Sequence, residues 1–126
     1  MRRIALALAS MLAAAALLAQ GGPGGVEFVH TDYTFGKTPR DSVLTHVFTF
    51  TNNGNSRLII LETSTSCPCV TVKTPSKSVD PGQTGEIEVT FNPANNRPGR
   101  FQQLVRVQTN ISDRPFLLHI FGETEK

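Results

Sequence analysis

The segment Val43-Leu44-Thr45-His46-Val47-Phe48-Thr49-Phe50-Thr51, closed by Asn52-Asn53-Gly54-Asn55, decides the fold. Its side chains alternate, with Leu44, His46, Phe48 and Phe50 on one face and Val43, Thr45, Val47 and Thr49 on the other. A period of two marks a strand with one buried face. The Asn and Gly residues that follow supply turn chemistry, because both tolerate positive φ. Outward from there, residues 57–62 hold the apolar run Leu58-Ile59-Ile60-Leu61, of strand length and β-branched content. Residues 86–91 alternate again, Ile87, Val89 and Phe91 against Glu86, Glu88 and Thr90, between the breakers Pro81-Gly82 and Asn92-Pro93. Residues 100–109 place Val105 and Val107 on one face, and residues 116–121 turn Phe116, Leu118 and Ile120 inward. Residues 26–30 read as an edge strand ahead of Tyr33-Thr34-Phe35-Gly36. Beyond the first twenty residues nothing shows helical spacing. The expectation is an all-β domain, an immunoglobulin-like antiparallel β-sandwich of about seven strands. Phe48, Phe50, Ile60, Val89, Phe91, Val105, Val107 and Leu118 form its expected core.

The start of the chain follows other rules. Arg2 and Arg3 precede an uncharged, Ala-rich run over residues 4–18, and Ala19-Gln20-Gly21 meets the small-x-small requirement for cleavage. Fifteen residues fall short of the roughly 20 that span a bilayer. We read residues 1–21 as a cleavable signal peptide and residues 22–126 as the domain, an exported protein of the periplasm or the extracellular space. Cleavage removes two of the 12 basic residues and none of the 10 acidic ones, so the mature chain is formally neutral. Its charges are scattered singly, which excludes the concentrated basic footprint that nucleic acid requires. Stable membrane insertion after cleavage is not expected either.

Strung together, the motifs form a familiar pattern. Tyr33-Thr34-Phe35-Gly36 is followed by His46-Val47-Phe48-Thr49-Phe50-Thr51-Asn52 with Gly54, then by Ser66-Cys67-Pro68-Cys69-Val70. Val79-Asp80-Pro81-Gly82-Gln83-Thr84-Gly85, Gly99-Arg100-Phe101, Val105-Arg106-Val107-Gln108-Thr109-Asn110 and a closing Phe121-Gly122 complete it. The chain resembles the secreted bacterial domain-of-unknown-function family 1573, itself similar to immunoglobulin-like domains of the major-sperm-protein and cilium-associated kind. The resemblance implies the sandwich and an exported location, and no activity. The family usually carries Gly between its two cysteines; Pro68 stands there in this chain and stiffens the loop.

Cys67 and Cys69 are the only cysteines. Export permits their oxidation, yet a three-residue loop offers only about 1.6 kcal/mol of unfolded-state entropy, against about 3 for a 15-residue loop. In extended backbone their Cα atoms would stand about 6.5 Å apart, near the upper limit for a bridge, so a disulfide demands a turn. Three readings stay open: two small side chains packed at the end of a core strand, a labile dithiol–disulfide, or a soft-metal site for Cu(I) or Zn. A tetrahedral zinc site would need His30, His46 or His119 brought in by folding. Each histidine also has a plainer reading. His46 shares a face with Phe48 and Phe50 and suits a near-core imidazole bonded to backbone; His119 alternates with the inward set of its strand; His30 sits beside Asp32.

Catalytic signatures are absent: the chain has no G-x-S-x-G, H-E-x-x-H, P-loop or dinucleotide fingerprint, and its carboxylates lie at turns and on solvent faces. Asn110-Ile111-Ser112 matches the N-glycosylation sequon. The reading is therefore a non-catalytic, exported module that binds another protein or an envelope component. The alternative is a periplasmic thiol-redox or copper-binding protein acting through Cys67-Pro68-Cys69.

Overall fold

The computed structural model describes residues 25–94 and 96–125; the signal-peptide reading of residues 1–21 lies outside them. Nine strands run in the order β1 (Val26–Phe28), β2 (Asp32–Thr38), β3 (Leu44–Asn52), β4 (Leu58–Thr65), β5 (Val70–Lys73), β6 (Ser78–Val79), β7 (Thr84–Phe91), β8 (Gly99–Thr109) and β9 (Phe116–Thr124). They form two sheets, β1-β3-β7-β5 and β2-β9-β8-β4-β6. The immunoglobulin-like sandwich is thus present, with two short strands, β5 and β6, beyond those read from the sequence. All pairings are antiparallel except β2 with β9, which is parallel.

The alternation seen in sequence fixes what is buried. Phe48, Phe50, Ile60, Val89, Phe91, Val105, Val107 and Leu118 are all in the core, joined by Val26, Leu58, Val70, Val79, Ile87 and Ile120. Close approach of the sheets needs one glycine in particular. Gly85 lies opposite Phe50 on the neighbouring strand, and a Cβ there would stand 2.5 Å from the Phe50 ring and 2.8 Å from Val79.

Turn chemistry differs in one respect from expectation. Asp80-Pro81-Gly82-Gln83 closes with Gln83 N–H donating to Asp80 O at 3.0 Å, and Gly82 takes φ of 83°. That is the glycine-at-third-position turn that Pro-Gly favours. At residues 52–55, however, no Asn adopts positive φ. Asn52 is there for its side chain: Nδ2 donates to Ser56 O at 2.8 Å and to Val79 O at 2.9 Å, and Oδ1 accepts from Gly54 N–H at 3.0 Å.

Candidate functional site

Three features could carry function: the cysteine turn, the sheet edge beside it, and a cluster of histidines. The cysteine turn is where the chain leaves one sheet for the other, between β4 and β5. Cys67 and Cys69 form a disulfide with their Cα atoms 5.1 Å apart. The required turn is made by Val70 N–H donating to Cys67 O at 3.1 Å. Thr65 Oγ1 donates to the same carbonyl at 2.8 Å, and Asn92 N–H donates to Cys69 O at 2.9 Å. Pro68 fits here because its fixed φ suits a turn and no donor is needed from it. Both cysteines are half-buried and pack against the core.

In this oxidised state the sulfurs have no thiolate to offer a soft metal or an exchange partner, so either chemistry must begin with reduction. The hydrogen bonds to the Cys67 and Cys69 carbonyls do not depend on the S–S bond; among those around the turn, Cys69 N–H donating to Cys67 Sγ at 3.1 Å is the one that involves a sulfur. Reduction, or Cys67→Ser with Cys69→Ser, should therefore cost no more than about 1.6 kcal/mol, the entropy of the three-residue loop. Thermal melts with and without reductant measure this, and a loss of several kcal/mol would show that the bridge itself holds the crossover.

Beside the turn, both sheets present an open edge. β5 ends its sheet, and β6 covers β4 only at Leu58 and Ile59, with one further bond from Ile60 N–H to Lys77 O at 2.8 Å. From Leu61 to Thr65 that side of β4 has no strand partner among the described residues. A groove lies between the two edges, lined by Ile60, Leu61, Val72 and Pro75 with Lys73 and Glu62 at its sides. Leu61 is 61% exposed, which is unusual for a leucine inside a strand.

The histidines gather around the crossover from β1 to β2. His30 and His46 are hydrogen-bonded to each other through their Nε2 atoms at 2.8 Å. The Tyr33 ring stacks on His46 with centroids 3.7 Å apart and an 11° interplanar angle. His46 is thus half-buried and bonded to an imidazole, not to backbone as its strand position implied. Burial, and then the facing His30, hold its pKa below the ordinary value. Asp32 pairs with His119, Oδ1 to Nδ1 3.3 Å, and not with its sequence neighbour His30. No three His, Cys, Asp or Glu side chains converge on a common point among the described residues, so the histidines do not complete a site at the cysteines. Asn110, the sequon residue, has its amide in use: Nδ2 donates to Arg57 O at 2.9 Å and Oδ1 accepts from Ile59 N–H at 2.7 Å.

Two sheets with this strand order, a chain that crosses between them at every connection from β1 to β8, and open lateral edges make an immunoglobulin-like sandwich. The sequence profile of DUF1573, a protein of unknown function, matches residues 26–124, and the chain belongs to that family. No curated protein matches it by sequence. Among solved structures it is similar to a protein of unknown function from Porphyromonas gingivalis W83, with 14% identity, a TM-score of 0.69 and 78% of this chain covered. The chain spans 46% of that protein. It is also similar to the ASH/PapD-like domain 7 of human CEP192, with 14% identity, a TM-score of 0.63, and 86% of this chain and 92% of the domain covered. A third similarity is to the VesB protease of Vibrio cholerae, with 12% identity, a TM-score of 0.61, and 80% of this chain but 32% of the protease covered. At these identities the likeness is one of fold.

Proposed function

We propose that the protein is an exported, non-catalytic module that docks another protein, or an envelope component, along the open edge formed by β4 and β5. The observation that carries this reading is the pair of unpaired strand edges flanking a groove of mixed apolar and charged lining, with Leu61 exposed at its rim. Unpaired edges present rows of N–H and C=O groups, and an added strand gains main-chain bonds there while its alternate side chains enter the groove. Export is supported by the leader pattern of residues 1–21 and by a disulfide, which persists where thiols are not kept reduced. The competing reading, a thiol-redox or Cu(I) protein, rests on the half-buried Cys67–Cys69 pair at an accessible turn.

The two readings separate in one experiment. The tagged mature protein is used as bait in envelope extract, beside Leu61→Lys, Val72→Lys and the Cys67→Ser/Cys69→Ser double variant. Docking at the edge predicts a partner retained by the wild type and by the double variant, and lost with either lysine substitution. Loss with the cysteine variant and retention with both lysine variants would assign function to the thiols instead.

A further inference from the structure

We infer that His30 and His46 form an acid-sensitive latch, which holds the crossover between β1 and β2 against β3 and releases it when both rings are charged. The latch is independent of the docking edge at β4 and β5 and of the cysteines.

The latch closes on a lightly held segment. Between β1 and β2, Val29 N–H donates to Thr49 O of β3 at 3.0 Å, and Thr31 O accepts from His119 N–H of β9 at 2.9 Å. The side chain between them, His30, adds a further tie to β3: its Nε2 meets Nε2 of His46 at 2.8 Å. β1 covers β3 from Phe50 to Asn52, so from Leu44 to Phe48 that side of β3 has no strand partner among the described residues. Val29, Val43 and Val47 stand exposed along it. Undocking the crossover extends this bare edge to Thr49.

Two imidazoles bonded head-on through Nε2 share one proton, with one ring donating and the other accepting. A first added proton goes to Nδ1 of the donor ring and leaves the bond in place. A second goes to the accepting Nε2, which sets N–H against N–H and brings two positive charges together across 2.8 Å. His46 is half-buried under the stacked Tyr33 ring, with Phe48 edge-on at 4.7 Å between centroids, whereas His30 is exposed. His30 is therefore the ring that swings out to water. No neighbour supplies a counter-charge: Tyr33 of β2 and Phe48 of β3 face the pair, and Val89 lies opposite His46 on β7. Asp32 is engaged with His119 at 3.3 Å, and no carboxylate pairs with either ring among the described residues. Burial, and then the facing His30, hold the pKa of His46 below the ordinary 6.5. A histidine whose pKa is lower folded than unfolded contributes stability that is complete above about pH 6.5 and is lost as the pH falls through the folded value.

The test follows the purified exported protein by nuclear magnetic resonance between about pH 8 and about pH 5, the range over which imidazole changes charge. Amide exchange, corrected for its intrinsic pH dependence, reports the crossover. Protection of the Val29 amide should fall roughly tenfold or more towards acid, a tenfold change being what one pH unit of displaced titration produces. The Phe48 amide, within the ladder of β3 and β7, should keep its protection. His30→Gln keeps the latch shut in both states, because its amide donates to a neutral His46 and accepts from a charged one. In that variant Val29 protection should hardly change with pH, and the ring nitrogens of His46 should titrate at a higher pH than in the wild type. Val29 protection that is constant in the wild type, or that falls equally in His30→Gln, would overturn the latch, as would His46 titrating alike in both proteins.

Discussion

Phe91→Ala should lower the stability of the domain by about 3–5 kcal/mol, the range for buried aromatic truncation. Phe91 is 1% exposed and sits on β7 between Leu44 of β3 and Val70 of β5. Its ring stacks on Phe101 of the opposite sheet at 4.3 Å between centroids. Removing it takes away apolar burial and leaves a cavity that the three surrounding strands, β3, β5 and β8, cannot close without breaking register. A domain has only about 5–15 kcal/mol in hand. At roughly 4–8 °C per kcal/mol the melting temperature should fall by more than about 10 °C. Val47→Ala on the outer face of β3, where the side chain is 37% exposed, serves as the control and should change little. Wild-type-like melting of Phe91→Ala would mean that Thr90, not Phe91, faces inward, and the pairing of β7 with both neighbours would be wrong by one residue.

The prediction rests on a register that the sequence already displays, because strict alternation leaves only one face able to be buried. Phe48, Phe50, Val89 and Phe91 are legible for that reason. β5 and β6 were not. Val70-Thr71-Val72-Lys73 spans only two periods between prolines, and Ser78-Val79 spans one, so neither carries a measurable alternation. What makes them strands is a neighbour distant in sequence: Val70 opposite Phe91 and Val79 opposite Leu58. The open edge follows from these two strands, and so could not be read from the chain alone.

The histidines show the same limit from another side. Taken one at a time, each invites a modest role, since His30 and His46 are sixteen positions apart and share no motif. β1 pairs with β3 in a register that sets Phe28 opposite Phe50, and continuing that alignment two residues past β1 sets His30 opposite Phe48, one same-face position from His46. The usable signal was therefore a histidine just past β1 and another near the start of β3, which requires knowing that the two strands are adjacent. The cysteine turn was legible in part: a bridge across one residue demands a turn, and the turn is there.

Asn52→Ala should cost about 3 kcal/mol, a large effect for a residue that reads in sequence as an ordinary turn former. Asn52 is fully buried at the end of β3, and its side-chain amide is the donor for two carbonyls, those of Ser56 and Val79. Val79 belongs to β6 in the other sheet, so this amide links the two layers where the chain turns between them. Its backbone is engaged as well, donating to Gln83 O at 2.9 Å and accepting from Gly82 N–H at 2.7 Å. Alanine removes the amide from the buried Val79 carbonyl, at about 1–3 kcal/mol for a buried group left unpaired, and adds smaller losses at the part-buried Ser56 carbonyl and Gly54 N–H. Asn52→Asp separates this account from mere loss of packing, because it keeps the shape and replaces two donors with an acceptor facing two carbonyl oxygens. At neutral pH Asn52→Asp should be less stable than Asn52→Ala, and it should recover relative to Asn52→Ala as the pH falls, since a protonated carboxyl regains one O–H donor. Denaturant melts of the two variants at several pH values give the comparison. Equal stability of Asn52→Asp and the wild type would mean that the amide donors do no bridging and that the sheets are joined at this end by apolar contact alone.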